Sequence, residues 1–273
     1  LAQDMKGALK RGEFFLQFQP IQDLSTGRVS SNEALARWRH PQRGHVPPMQ
    51  FIGIAERLGL IHELGEWIMF EACREAAHWP ADVGIAVNVS PDQICDESIV
   101  SIVDAALRGA GLSPQRLHLE VTESAMLAAA GGAASAIERL HERGVSIVLD
   151  DFGTGFSSFD HIRRLPVRGL KIDRSFVAGL PERKNQAIVQ AVSHLAGALD
   201  LNVTAEGVET AAQAAFVRSA GCSHGQGYLF ARPMAGPELS GWLSAWRSHR
   251  RADLEAACRG DAGNVVGWSR PAA

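Results

Sequence analysis

The sequence predicts an α/β fold, a TIM-like (β/α)8 barrel with an antiparallel first strand. Three observations carry this expectation. About eight short apolar, β-branched runs are spread over 273 residues, which suits one large barrel. From residue 84 onward these runs alternate with segments of helical spacing through short loops, the pattern of parallel strands with helices outside. The first two runs are joined only around Ser25-Thr26-Gly27, too short for a parallel crossover, so that pair is expected to be antiparallel.

In order, residues 2–10 read as the end of a helix. Residues 14–21 read as a strand stopped near Pro20, and residues 29–38 as its partner, containing Glu33-Ala34-Leu35. Pro41, Gly44, Pro47 and Pro48 mark a loop. Residues 49–60 and 61–79 are helical, with Ile61, Leu64, Trp67, Ile68, Cys73 and Ala76 at steps of three and four. Strands are expected at 84–87, 116–121, 146–151, 169–173, 202–207 and 225–229, with helices at 92–109, 131–143, 185–199, 209–220 and 236–248. Gly144 suits the position just after a helix. This divides the chain into a lead-in helix or linker (1–13), a barrel (14–249) and an Ala-, Gly- and Arg-rich tail (250–273), read as poorly ordered or as an appended helix.

Composition narrows the function. The net charge is −3, and the sequence pI is about 6.4, so the basic surplus of a nucleic-acid-polymer binder is missing. A small anionic ligand held by a few local groups remains compatible. The four cysteines, Cys73, Cys95, Cys222 and Cys258, form no C-x-x-C pair and read as reduced thiols in a cytoplasmic setting. No apolar run approaches the roughly 20 residues of a membrane helix, and no signal peptide is visible, so no membrane contact is expected from this segment. The abrupt start at Leu1 leaves room for an upstream membrane or sensory segment.

The chemistry is expected where strands give way to the following loops. Strand ends carry Glu33, Asn88, Glu120, Asp150 with Asp151, Lys171, Glu206 and Gln226. Singly, each has an ordinary explanation: Glu206 as an acid near the next helix, Asn88 in a capping turn, Lys171 paired with Asp173. Together they form a pattern that chance explains poorly. Neighbouring Asp150 and Asp151 cannot both point into one core from a regular strand, so the strand must break there or a metal must gather them. Closing the sheet would bring five acids to one rim, where they repel unless cations neutralise them. An all-oxygen set without matching His or Cys spacing selects hard cations, Mg2+ or Mn2+, and this many carboxylates suggests two ions. Such a site suits in-line displacement at phosphorus. Lys171, the one cation of the set, would hold the attacking water or balance phosphate charge.

These residues carry a resemblance. Glu33-Ala34-Leu35 with Arg37-Trp38, Asn88-Val89-Ser90, Glu120-Val121-Thr122-Glu123, the run DDFGTGFSS from Asp150, Lys171-Ile172-Asp173, Ala205-Glu206-Gly207-Val208-Glu209 and Gln226-Gly227-Tyr228 resemble the EAL domain family of cyclic di-GMP phosphodiesterases, in order and spacing, over residues 14–233. The resemblance implies a modified barrel that hydrolyses cyclic di-GMP to linear 5′-pGpG with Mg2+ or Mn2+. It implies that Glu33, Asn88, Glu120 and Asp150 bind metal, that Asp151 bridges or binds a second ion, and that Glu206 binds metal or its water. It makes Lys171, Glu33 and Glu206 catalytic, with Lys171 orienting or deprotonating the water. Gln19, Leu35, Arg37, Asn88, Asp151 and Gln226 would contact the dinucleotide, Arg37 through a phosphate, a role suited to a guanidinium. Glu123, Phe152, Gly153, Thr154 and Gly155 would couple metal binding to homodimer formation. A fused upstream sensory or cyclase domain is a further implied partner. Phe18 and Phe156 stand where the family often has Tyr, and Arg168 where Asp is frequent; no metal or catalytic position is altered.

The rival from another class is a catalytically silent receptor for the same nucleotide, and a third reading is an unrelated divalent-metal barrel enzyme. Silent members usually lose metal ligands, and this chain keeps them. The histidines form no H-x3-H or H-E-x-x-H pattern, and G-x-S-x-G, Walker A and G-x-G-x-x-G are missing. Arg163, Arg164, Arg168 and Arg174 read as a solvated basic face.

Overall fold

The computed structural model describes residues 1–122, 125, 132–153 and 165–258. The strands are β1 (Phe14–Asp23), β2 (Val29–His40), β3 (Gly44–Val46), β4 (Gly84–Val89), β5 (Leu117–Thr122), β6 (Ser146–Phe152), β7 (Val167–Ile172), β8 (Asn202–Ala205) and β9 (His224–Gln226). Around them lie α1 (Ala2–Met5), α2 (Pro48–Arg57), α3 (Ile61–Ala76), α4 (Pro91–Cys95), α5 (Ile99–Ala110), α6 (Gly132–Glu142), α7 (Arg174–Ala178), α8 (Arg183–Ala198), α9 (Ala211–Ser219) and α10 (Gly236–Cys258).

Eight strands close in the order β1-β9-β8-β7-β6-β5-β4-β2, with β2 returning to β1 and β3 appended to β2. β1 runs antiparallel to both neighbours, and every other pair within the barrel is parallel. The C-terminal ends of β2 and β4 to β9 therefore meet at one mouth, and residues two apart on each strand line the interior. The main apolar core fills the layer between strands and helices, with Ile85, Leu117, Leu119, Leu170 and Val189 fully enclosed. A second cluster beside β1 and β2 packs Phe14, Trp38 and Phe51, and the Trp38 indole donates to Glu13 Oε2 at 2.8 Å.

Local chemistry accounts for the departures from the sequence reading. Residues 44–46, read as loop, form β3, because His40 Nδ1 accepts the backbone N–H of Gln42 and Arg43 and folds the chain back on β2. Residues 92–109, read as one helix, are two. Ser90 and Gln93 form a capping box at α4, and Asp96 accepts from Ser98 N–H at 2.8 Å, which competes with helical hydrogen bonding between α4 and α5. α7 was not foreseen; Asp173 caps it by accepting from Ser175 N–H. The last helix continues to Cys258.

Candidate active site

Lys171 projects into the barrel from β7 and is 1% exposed. Its Nζ lies 2.6 Å from Glu206 Oε1, 2.8 Å from Glu120 Oε2, 3.4 Å from Glu33 Oε2 and 3.6 Å from Asp150 Oδ1. Glu33 is held from three sides: the Asn88 amide donates to Oε1 at 2.7 Å, the Gln226 amide to Oε2 at 2.7 Å, and the ammonium lies beyond. Gln226 also reaches Gln19 Oε1 at 3.3 Å, and Gln19 is anchored by donating to the carbonyl of Ala231. Glycine fixes where Gln226 sits. Gly227 has φ +158, and a Cβ there would fall inside the backbone of Val208, just past Glu206-Gly207. The strand ends carrying Glu206 and Gln226 are thus clamped together, with Val208 N–H donating to the Gln226 carbonyl at 2.9 Å.

A bulge reconciles the two adjacent aspartates. Along β6 and β7, Leu149 faces Leu170 and Phe152 faces Ile172, so three steps on β6 match two on β7. Asp151 takes φ +54, in the left-handed region that Asp tolerates better than most residues. Asp151 N–H donates to Asp150 Oδ1 at 2.9 Å. One oxygen each from Asp150, Asp151 and Glu206 then lie within 4.8 Å of one another. These three oxygens suit a hard divalent cation.

Electrostatics points the same way. Burial pushes the Lys171 ammonium down, but Glu120, Glu206, Glu33 and Asp150 outweigh it and hold it well above the usual lysine range. One cation cannot serve four carboxyls. Burial would raise Glu33, yet Lys171 with the Gln226 and Asn88 amides brings it below the ordinary value. Burial and the neighbouring acids push Glu120 well up, and Glu206 to about 7. Burial and Asp150 also raise Asp151. Among the described residues, the acidic centre around Lys171 thus holds more carboxyls than that one ammonium neutralises.

Beside the cluster lies a cleft of about 270 Å3, lined by Gln19, Glu33, Asp150, Glu206 and Gln226. Arg174, Glu209 and Tyr228 also line it, and the sequence reading assigned them no role. Arg174 had been placed on a solvated face; the signal was its place at the start of the helix right after Lys171-Ile172-Asp173. Arg232 lies over the Tyr228 ring, 4.3 Å from its centroid. Arg37, on β2, is half-buried and is oriented by Gln17 Oε1 at 2.7 Å. Leu35, paired with Gln17, lies two residues back toward Glu33. Glu33, Asn88, Glu120, Asp150, Asp151, Lys171, Glu206, Gln226 and Gln19 thus form one connected group. Of the expected coupling loop, Phe152 is buried and Gly153 turns at φ +94, whereas Glu123, Thr154 and Gly155 lie outside the described residues.

Residues 2–233 match the family model described as EAL domain. The chain belongs to the EAL domain family. Among its relatives is a Pseudomonas aeruginosa protein named cyclic di-GMP phosphodiesterase NbdA, 42% identical over 254 residues, which make up 90% of this chain and 32% of that protein. The bifunctional diguanylate cyclase/cyclic di-GMP phosphodiesterase MucR of the same organism is 43% identical over 88% of this chain and 36% of that protein. This EAL domain therefore spans about a third of the length of these curated relatives. The solved PaMucR phosphodiesterase in complex with c-di-GMP superimposes with a TM-score of 0.84 at 42% identity, covering 87% of this chain and 98% of that one. Among the described residues, no helix of this EAL domain is long and apolar enough to cross a membrane.

Proposed function

We propose that this EAL domain hydrolyses cyclic di-GMP to linear 5′-pGpG with Mg2+ or Mn2+. The observation that carries the reading is Lys171 at the centre of four carboxylates beside the Asp150-Asp151-Glu206 group. The relatives named as cyclic di-GMP phosphodiesterases and the likeness to a c-di-GMP complex support the substrate. Divalent ions held by Asp150, Asp151 and Glu206, with Glu33, Asn88 and Glu120 as further ligands, would stabilise charge on the entering and leaving oxygens. Water attacks phosphorus, the P–O3′ bond breaks, and the 3′ oxygen takes up a proton. In the metal-free fold the surrounding carboxyls hold Lys171 protonated, a state suited to orienting the water and balancing charge. The proton acceptor is assigned to Glu206, the most accessible of the four carboxyls around the lysine. Arg174 at the cleft, and Arg37 on β2 four residues beyond Glu33, suit the two phosphates, and Tyr228, 42% exposed, offers a ring face to a guanine.

The working unit is taken as residues 14–249, acting as a homodimer through the Glu123 and Phe152–Gly155 segments, cytoplasmic, and joined to a sensory or cyclase domain. Incubation with cyclic di-GMP and Mn2+ tests the reading. Linear product that disappears in Glu33→Ala and Lys171→Ala is expected. Tight nucleotide binding without turnover in the unaltered chain would instead make it a receptor.

A further inference from the structure

A cavity of about 640 Å3 opens at the opposite mouth of the barrel, where β5 to β9 begin. Barrel interiors of this type are normally filled by bulky branched side chains. Here the inward positions include Ser31, Ala86, Gly169 and Thr204, too small to fill it. Gly169 cannot easily be larger, since a Cβ there would lie 3.1 Å from the Asn202 carbonyl oxygen. Gly84 leaves room for the His118 ring, which a Cβ would meet at 2.6 Å from Nε2. Val148, in the middle of β6, stays partly exposed inside the cavity.

The lining combines apolar surface from Ile21, Val145 and Val148 with hydrogen-bonding groups from Ser31, His118, Ser146, Asn202, Thr204 and His224. One cation joins them through a fault in the sheet. Ile147 pairs with Val167 and Val148 with Gly169, so Arg168 is the extra residue of a bulge, and bulges re-aim side chains. Arg168 lines this mouth and is exposed to solvent. The sequence had placed it on a solvated basic face. The inner end of the cavity is formed by Glu120, whose carboxylate is 2.8 Å from Lys171 Nζ. One residue thus borders both the cavity and the acidic centre. The volume lies within the roughly 300–1,000 Å3 range of small-molecule sites.

We propose that this mouth is a second ligand site, for a small polyhydroxylated molecule bearing a phosphate, and that its occupancy reaches the acidic centre through Glu120. Arg168 takes the phosphate, and the hydroxyl, imidazole and amide groups take the polyol. An apolar ligand would leave these polar groups unpaired.

The test is calorimetric titration of the metal-free full chain with ribose 5-phosphate, and separately with ribose and inorganic phosphate. Ribose 5-phosphate is expected to bind at least about tenfold more tightly than either fragment, and Arg168→Glu to weaken it roughly tenfold or more. This arm does not depend on the phosphodiesterase reading. Absence of saturable binding by all three probes overturns the site, as does binding that Arg168→Glu leaves unchanged or that cyclic di-GMP displaces competitively. The coupling arm rests on the metal reading above. Mn2+ affinity should change about threefold or more with ribose 5-phosphate present, and the change should vanish in Arg168→Glu. Mn2+ affinity that is the same with and without bound ribose 5-phosphate overturns the link through Glu120.

Discussion

Lys171 carries the charge balance of the whole acidic mouth, and removing that charge isolates the point. Lys171→Met keeps much of the side chain's bulk but leaves Glu33, Glu120, Asp150 and Glu206 facing one another in a buried space. Breaking a buried ion pair from one side typically costs about 3–5 kcal/mol. The variant should therefore unfold at lower urea than the unaltered chain when both are in EDTA. Added Mn2+ should restore part of that stability and none of the turnover. An unchanged urea midpoint in EDTA would contradict the assignment. At this scale the sequence was informative about identity and silent about geometry. Acids at successive strand ends could be read directly, because a strand end at the barrel mouth is a position and not a contact. That Asn88 and Gln226 both donate to Glu33 could not be read, since it depends on how far β4 and β9 are staggered from β2.

Two element-level devices bring these residues together, and each has its own test. The β6 bulge turns Asp151 toward the mouth at φ +54. Left-handed backbone costs a non-glycine residue on the order of 1 kcal/mol. Asp151→Gly should gain up to about that much stability in EDTA, by chemical unfolding, while Mn2+ binding weakens. Loss of stability with unchanged Mn2+ affinity would show that Asp151 is structural and not a ligand. The second device is Gly227. Gly227→Ala drives a methyl into the Val208 backbone and should cost about 3 kcal/mol, since that backbone cannot move aside without unclamping β8 from β9. Tm within a degree of the unaltered chain would refute this. Alternation of strand and helix made the barrel legible, and the short connection at Ser25-Thr26-Gly27 its antiparallel first pair. What stayed hidden was decided by single side chains acting on nearby backbone: His40 making β3, Asp96 parting α4 from α5, Asp173 starting α7. Such local hydrogen bonds leave no periodic trace. The bulge at Arg168 was hidden for a related reason, because register is a property of two strands and the sequence displays one at a time.

For the whole molecule, the acidic mouth ties fold stability, metal affinity and pH together, and the sign can be worked out from Glu206. Burial, with Asp150 and Glu33 adding, raises its pKa from 4.5 to about 7 in the metal-free fold. A carboxyl raised on folding favours the native state while it stays protonated. That contribution is complete below pH 4.5 and is lost as pH rises through about 7. A shift of this size corresponds to ~3 kcal/mol at most. Glu33, held below its ordinary value, works in the opposite sense and over a lower range, with stability lost only as pH falls through its folded pKa. In EDTA, urea unfolding should therefore show Glu206→Gln gaining stability relative to the unaltered chain between pH 5 and pH 8. A divalent ion reverses the dependence, because it needs the deprotonated carboxylate and displaces the proton. Mn2+ affinity should fall as pH drops through about 7, with protons released on binding from Glu206 and from the other raised carboxyls of the ligand set, Glu120 and Asp151. Stabilisation by Mn2+ should accordingly be larger at pH 8 than at pH 6. If Mn2+ bound equally well at both, the proton on Glu206 would not compete with the ion, and Glu206 would have to leave the ligand set.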